Sequence, residues 1–205
     1  LTPDPKPIGG EGPRGYVGGL WEELGQLQYD FLLRQGLRPD HTLLDIACGS
    51  LRLGRRIIPF LAPGNYLGID IKEDLIEHGR TIELSPRLLA EKRPEFVVSG
   101  VFEFQRFSRR PDFAIAQSLF SHLTPADIRL CLTELVRFRK PGTVLFATFR
   151  EASAPASNPA QSHPHAGFDY TRAEMQRFGA ATGWRADYIG DWGHPRGQKM
   201  MRYFV

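Results

Sequence analysis

Apolar residues recur with two different periods along this chain. In GLWEELGQLQYDFLLRQGL (19–37), Leu20, Leu24, Leu27, Phe31 and Leu32 fall at three- and four-residue spacing. That spacing puts them on one face and predicts an amphipathic helix that ends near Gly36. The 15 residues at the front are rich in Pro and Gly and predict irregular chain.

From residue 42 onward, apolar runs of strand length alternate with helical patterns. TLLDI (42–46), 65–71, 96–98, 113–118 and 143–149 read as strands. Between them, 52–61 and 72–83 read as helices, the second with Leu75, Ile76 and Ile82 turned inward. Thr124 and Asp127 form a capping-box-like pair with Pro125 at the first helical position. Ile128, Cys131, Leu132, Leu135 and Val136 then make one apolar face. Thr171 with Glu174 opens a later helix that stops at Gly183. The last two apolar runs, 184–190 and QKMMRYFV (198–205), are joined by a short loop and must pair antiparallel.

Strands alternating with helices predict an α/β fold with a mostly parallel sheet covered on both faces. The runs add up to a seven-stranded sheet with an antiparallel strand at its C-terminal end. The segment EASAPASNPAQSHPHAG (151–167) interrupts this rhythm. A structureless stretch of that length inside a compact domain reads as a lid or an insertion.

Composition narrows the class. The 205 residues suit one domain, 1–205, with a cap segment at 1–40 and a core at 41–205. Two cysteines exclude a disulfide scaffold and a four-cysteine zinc site. No apolar run approaches the roughly 20 residues of a membrane span, and the front of the chain does not read as a secretory signal. A cytoplasmic setting without a membrane partner is the expectation. Lys and Arg exceed Asp and Glu by 26 − 23 = 3. Arginines cluster at 52–56, 106–110 and 137–140, and the expected reading of all three clusters is a solvated surface.

The chemistry concentrates in LLDIACGS and GIDI. A small-residue turn after the first strand lets a ligand approach the backbone. Asp70, at the end of the second strand, is placed to accept hydrogen bonds from a ribose diol. Nicotinamide cofactors and S-adenosylmethionine both satisfy that logic. The segment ACGSLRLG fails the G-x-G-x-x-G template of the first class.

LLDIACGSLRLG, GNYLGIDI, DFAIAQSLFSHL and the late β-hairpin together resemble a class I S-adenosylmethionine-dependent methyltransferase of small-molecule type, over about residues 40–205. The resemblance implies a Rossmann-like doubly wound sheet with an N-terminal helical cap. It implies that the backbone of Ala47, Cys48 and Gly49 passes beside the methionine part of the cofactor. By the same resemblance Asp70 binds the ribose hydroxyls, Ile71 lies against the adenine, Phe102 borders it, and Gln117 and Ser118 face the sulfonium. Phe102 packing in the core and Ser118 bonded to nearby backbone stand as the alternatives. Ala47 and Leu51 occupy positions where the family has glycine, and Cys48 is common at its position, so it is not read as a nucleophile.

Methyl transfer to a hydroxyl is helped by a general base, and histidine suits that role at neutral pH. His122, just past the fourth strand, is the first candidate, and a helix-capping role is its alternative. His194, in DWGHPRGQ, is the second, with loop closure as its alternative. His163 and His165 read as mobile surface residues, with contact to substrate as part of a lid as the alternative. Tyr16, Trp21, Phe168 and Trp192 are expected to line or close an acceptor pocket, with packing of the cap helix as the alternative for Trp21. Asp112, Asp169, Asp187 and Asp191 are scattered, so no catalytic metal is expected. The expected activity is transfer of a methyl group from S-adenosylmethionine to a small molecule, at an oxygen of a specialised metabolite or sugar. An RNA methyltransferase, a nicotinamide-dependent reductase and a non-catalytic nucleotide-binding protein are the alternatives. No nucleic-acid partner is expected, and the oligomeric state stays open.

Overall fold

The computed structural model describes residues 12–205. The front segment, predicted irregular, thus lies outside the described residues up to residue 11, and Gly12–Tyr16 forms a short helix, α1. α2 spans Trp21–Arg34 and buries Leu24, Phe31 and Leu32. Leu20, counted on that face from the spacing, precedes the helix in a left-handed conformation (φ 47°) and is 39% exposed.

The strands are β1 (Leu43–Ile46), β2 (Tyr66–Asp70), β3 (Glu95–Val98), β4 (Phe113–Ala116), β5 (Val144–Glu151), β6 (Asp169–Tyr170), β7 (Arg185–Asp191) and β8 (Lys199–Phe204). The sheet order is β3-β2-β1-β4-β5-β8-β7, parallel from β3 to β5. β8 runs antiparallel between β5 and β7. The two-residue β6 pairs with the end of β5, which makes eight strands where the sequence predicts seven.

Alternation along the strands divides the apolar residues between two cores, one on each face of the sheet. Leu44, Ile46, Leu145, Ala147 and Phe149 join α6 (Pro125–Phe138) and α7 (Arg172–Ala181). Leu43, Tyr66, Ile115 and Phe146 join α2 and α3 (Gly54–Phe60). Phe31 anchors α2 with edge-on contacts to Phe146 at 5.0 Å and Trp192 at 5.4 Å. Each such pair adds about 0.5–1.5 kcal/mol beyond its burial. Thr124 and Thr171 cap α6 and α7 as their sequences predict, and at Thr171 both halves of the capping box form.

The predicted helix over 72–83 is two pieces. α4 (Glu73–His78) passes into a π-helical turn, Gly79–Glu83. The wider turn adds a residue to the cycle and rotates the side chains it carries away from the α-helical face, so Ile82, predicted inward, is 67% exposed. A further helix, α5 (Pro86–Lys92), has no fully buried residue and therefore no apolar stripe to betray it. Its cap, the Ser85 hydroxyl accepting the Leu88 amide, is the signal its sequence does carry.

Candidate active site

The carboxyl ends of β1, β2 and β4 open into a cavity of about 700 Å³. The turn after β1 forms its floor. Ala47 (φ 62°), Gly49 (φ 54°) and Leu51 (φ 67°) all take the left-handed conformation. For a residue with a Cβ that conformation costs roughly 1–2 kcal/mol, yet the turn keeps it at Ala47 and Leu51. Leu51 is offset by its packing: it is fully buried. A Cβ added at Gly79 would lie 2.4 Å from its Cγ, and one at Gly54 would lie 3.0 Å from its Cβ. Two glycines on neighbouring helices thus make the hole that this leucine fills.

Asp70 holds the turn in place. One carboxylate oxygen accepts the Gly49 amide at 2.8 Å, and the other accepts the Lys72 amide at 2.9 Å. Burial pushes its pKa up, and those amide bonds oppose the shift. Asp45, below the turn, accepts the Tyr66 hydroxyl at 2.8 Å. Burial drives Asp45 up to about 7 against that bond and the Arg52 charge. Burial also raises the Cys48 thiol well above its ordinary range, so the thiolate needed of a nucleophile is not formed.

At the end of β4, Gln117 is a hub. Its Oε1 accepts from Arg52 Nη2 and from Gln28 Nε2, and its Nε2 donates to Ser118 Oγ at 2.6 Å. Ser118, in a left-handed conformation (φ 57°), donates its hydroxyl to Gln198 Oε1 at 3.1 Å, and its amide donates to Thr148 Oγ1. The Ser118 hydroxyl hydrogen is therefore committed, and its oxygen meets the cavity as an acceptor.

His122 lines the cavity, with Nδ1 2.8 Å from the Ala166 carbonyl. A carbonyl only accepts, so Nδ1 carries the hydrogen and Nε2 keeps a lone pair. Burial lowers its pKa below the ordinary histidine value, which keeps the ring neutral at pH 7. His194 sits differently. Its Nδ1 accepts the Arg196 amide, its Nε2 faces Gln117 Nε2 at 3.2 Å, and it is not part of the cavity wall. Burial, with Arg52 and Arg196 adding to it, pulls it to about 4. It lies behind Gln117, outside the cavity wall.

Ala47, Cys48, Gly49, Asp70, Ile71, Gln117, Ser118 and Tyr16 all lie in the cavity wall. Besides His194, four expected residues do not. Phe102 faces the core beside Phe104. Phe168 is fully buried beneath the 151–167 loop. Trp21 is buried at the start of α2, with the Arg14 guanidinium over its ring. Trp192 donates Nε1 to the Gln198 carbonyl and packs on Phe31. In each case the aromatic ring is buried outside the cavity wall.

His163 and His165, expected on a mobile surface, line the mouth. The loop that carries them is tied down: the His163 amide donates to the His122 carbonyl, and the Ser162 hydroxyl accepts the Thr124 amide. The Tyr16 ring meets His165 edge-on at 5.2 Å, so α1 and the loop touch across the mouth. Arg52 is the residue that sequence reasoning missed. It stands in an arginine run whose other members, Arg55 and Arg56, do pair with Glu22 on the surface. Arg52 itself is buried, and its Nη1 donates to the carbonyls of Val17 and Gly19. Its place between Leu51 and Leu53, directly after the turn, was the available signal. Among the described residues, no group of three or more His, Cys, Asp or Glu is placed to hold a metal ion, and no helix is long and apolar enough to cross a membrane.

A family model described as a methyltransferase domain matches residues 44–145. The chain is similar in structure to magnesium protoporphyrin IX methyltransferase (ChlM) from Synechocystis PCC 6803, solved with bound SAM. The two are 13% identical with a TM-score of 0.64, over 94% of this chain and 89% of that one. It is similar to DesVI of Streptomyces venezuelae, at 16% identity and a TM-score of 0.61, over 95% and 93% of the two chains. The glycopeptide N-methyltransferase MtfA, solved with S-adenosyl-L-homocysteine, matches at 14% identity and a TM-score of 0.65, over 88% and 89%.

Proposed function

Because this chain is a class I S-adenosylmethionine-dependent methyltransferase, we propose that it methylates an oxygen atom of a small molecule, a specialised metabolite or a sugar. The cofactor suits the wall: Asp70 is buried at the nucleoside end, and two buried polar atoms in the wall, Arg52 Nε and Gln28 Oε1, have no partner among the described residues. When bound, S-adenosylmethionine supplies a methyl group already activated on a sulfonium, so the protein has to align the acceptor and manage its proton.

The observation that carries an oxygen acceptor is the orientation of His122. Its Nδ1 hydrogen is fixed on Ala166, and its neutral Nε2 keeps a lone pair that can accept a hydroxyl proton. Ser118 Oγ, with its own hydrogen given to Gln198, accepts from a second hydroxyl and so orients the acceptor. α1 and the 151–167 loop touch at the mouth through Tyr16 and His165, which suits a compact substrate. The arginine clusters favour a small molecule over RNA, since Arg55, Arg56, Arg106 and Arg137 each pair with a glutamate. The small acceptors named for the neighbouring structures, a magnesium porphyrin and a glycopeptide, support the same class.

The test is a transfer assay with methyl-labelled cofactor against matched hydroxyl, amine and RNA acceptors. Label on hydroxyl acceptors is the expected result. Label confined to amines or to RNA overturns the reading.

A further inference from the structure

Two side chains from one loop bring unused hydrogen-bond donors to the cavity wall. Gln198, the residue before β8, lines the cavity and is 8% exposed. Its amide is oriented from behind. Ser118 Oγ accepts from Gln117 Nε2, and Thr148 Oγ1 accepts the Ser118 amide. Both hydroxyl hydrogens then go to Gln198 Oε1, at 3.1 and 2.7 Å. Turning the amide over would leave both hydroxyls without an acceptor. Nε2 is thus the end left for the cavity: it keeps exposed surface and has no acceptor among the described residues.

Arg196, two residues earlier, lines the same cavity. Its amide is pinned to His194 Nδ1, and its Nη2 donates to the Gly18 carbonyl at 2.6 Å. Gly18 makes room for the guanidinium, since a Cβ there would lie 3.1 Å from Nη1. Nε and Nη1 donate to nothing among the described residues, and no carboxylate among them pairs with this cation. In sheet order β8 lies beyond β4 and β5, away from β2. The carboxylates that the described residues give the wall, Asp45 and Asp70, sit on β1 and β2. His163 adds a third donor at the mouth: its Nδ1 accepts the His165 amide at 3.0 Å, so the ring hydrogen is on Nε2. A fixed guanidinium and a fixed amide N–H, with no acid near them, suit an anionic oxygen group. A carboxylate has an oxygen for each.

We propose that the methyl acceptor is a hydroxy acid, whose carboxylate is held by Arg196 and Gln198 while its hydroxyl lies toward His122. The proposal rests on the oxygen-acceptor reading of this cavity. It makes Arg196 a specificity-determining residue: the guanidinium selects the acid, and Ser118 and His122 take the hydroxyl end. In the transfer the hydroxyl oxygen gains the methyl group as the sulfonium–carbon bond breaks. Its proton passes to His122 Nε2, and the carboxylate leaves unchanged. Because the Gly18 carbonyl also holds Arg196, the acid is read by a side chain that touches the cap segment.

The test titrates three probes into the protein saturated with S-adenosylhomocysteine: para-hydroxybenzoate, its neutral amide para-hydroxybenzamide, and phenyl phosphate. Calorimetry should show the acid binding about tenfold or more tighter than the amide, the scale of a hydrogen bond between charged groups. In Arg196→Gln the margin should shrink to under about threefold, with the amide's affinity unchanged. The acid–amide comparison needs no variant, so it stands even where Arg196→Gln fails to fold. Equal affinity for acid and amide, a margin that survives Arg196→Gln, or binding of none of the probes overturns the proposal. Tighter binding of phenyl phosphate overturns it by assigning the guanidinium to a phosphate. A margin seen only without S-adenosylhomocysteine overturns it by assigning the guanidinium to the cofactor. Failure of the oxygen-acceptor reading looks different: labelled methyl would go to para-aminobenzoate in place of para-hydroxybenzoate, with the acid–amide margin intact.

Discussion

The carboxylate of Asp70 accepts the backbone amide of Gly49 at 2.8 Å, across 21 residues of sequence. The residue that resemblance assigns to the cofactor's ribose is thus also the clasp of the glycine turn. A ribose bound there would share that side chain with the turn, so a change at Asp70 would reach both.

Asp70→Ala should weaken S-adenosylhomocysteine binding by roughly 1–3 kcal/mol, the scale of a lost charged hydrogen bond, and lower the melting temperature as well. Calorimetry and a thermal melt on the same preparation check both. Unchanged affinity in a folded variant would remove Asp70 from the site.

His122→Ala should cut turnover by about 10²–10⁴-fold, the usual reach of a positioned base, and leave S-adenosylhomocysteine affinity in place. Because burial holds the ring below its ordinary pKa, the wild-type rate should fall off only on the acid side of 6.5. The variant should lose that limb. A profile with the same limb in both proteins assigns the proton to another group.

Gly79→Ala would bring a Cβ to 2.4 Å from Leu51 Cγ. Overpacking of this kind costs about 1–3 kcal/mol, to be read from denaturant unfolding. Leu51→Gly in the same chain should recover part of the loss, since it empties the hole and removes the strain at φ 67°. A double-mutant cycle with no coupling would separate the two positions.

His194 and Asp45 pull stability in opposite directions with pH. His194 is held down near 4 from 6.5, so its contribution is full above 6.5 and is lost as pH falls toward 4. Asp45 is held up near 7 from 3.8, so its contribution is present below 3.8 and is lost as pH rises through 7. Relative to wild type, Asp45→Asn should gain stability as pH rises from 4 to 7, and His194→Asn should gain it as pH falls over the same range. Unfolding curves at steps between pH 4 and 8 decide it.

What could be read from the sequence was what local chemistry determines. Apolar spacing located α6, and the Thr124 and Thr171 caps marked where α6 and α7 begin. The small residues of ACGS marked the turn because backbone conformation there is a local demand. Ile82 was misplaced since a π turn changes the helical period without a sequence signature. Phe102, Phe168 and Trp192 were misassigned because a ring near the ligand edge of a sheet satisfies core and cavity equally well. Arg52 and His163 needed tertiary information: each owes its place to a partner segment, the 17–19 carbonyls or the His122 carbonyl, far away along the chain.

β8 lies between β5 and β7, and among the described residues it is the sole sheet neighbour of β7. During synthesis β5 is left with one long edge open, and β7 has nothing to pair with, until residues 199–204 have cleared the ribosome. Open strand edges invite pairing with other chains. This protein therefore completes its sheet only after translation of the β8 segment, and a premature stop before it should yield an aggregating product, not a weakened enzyme.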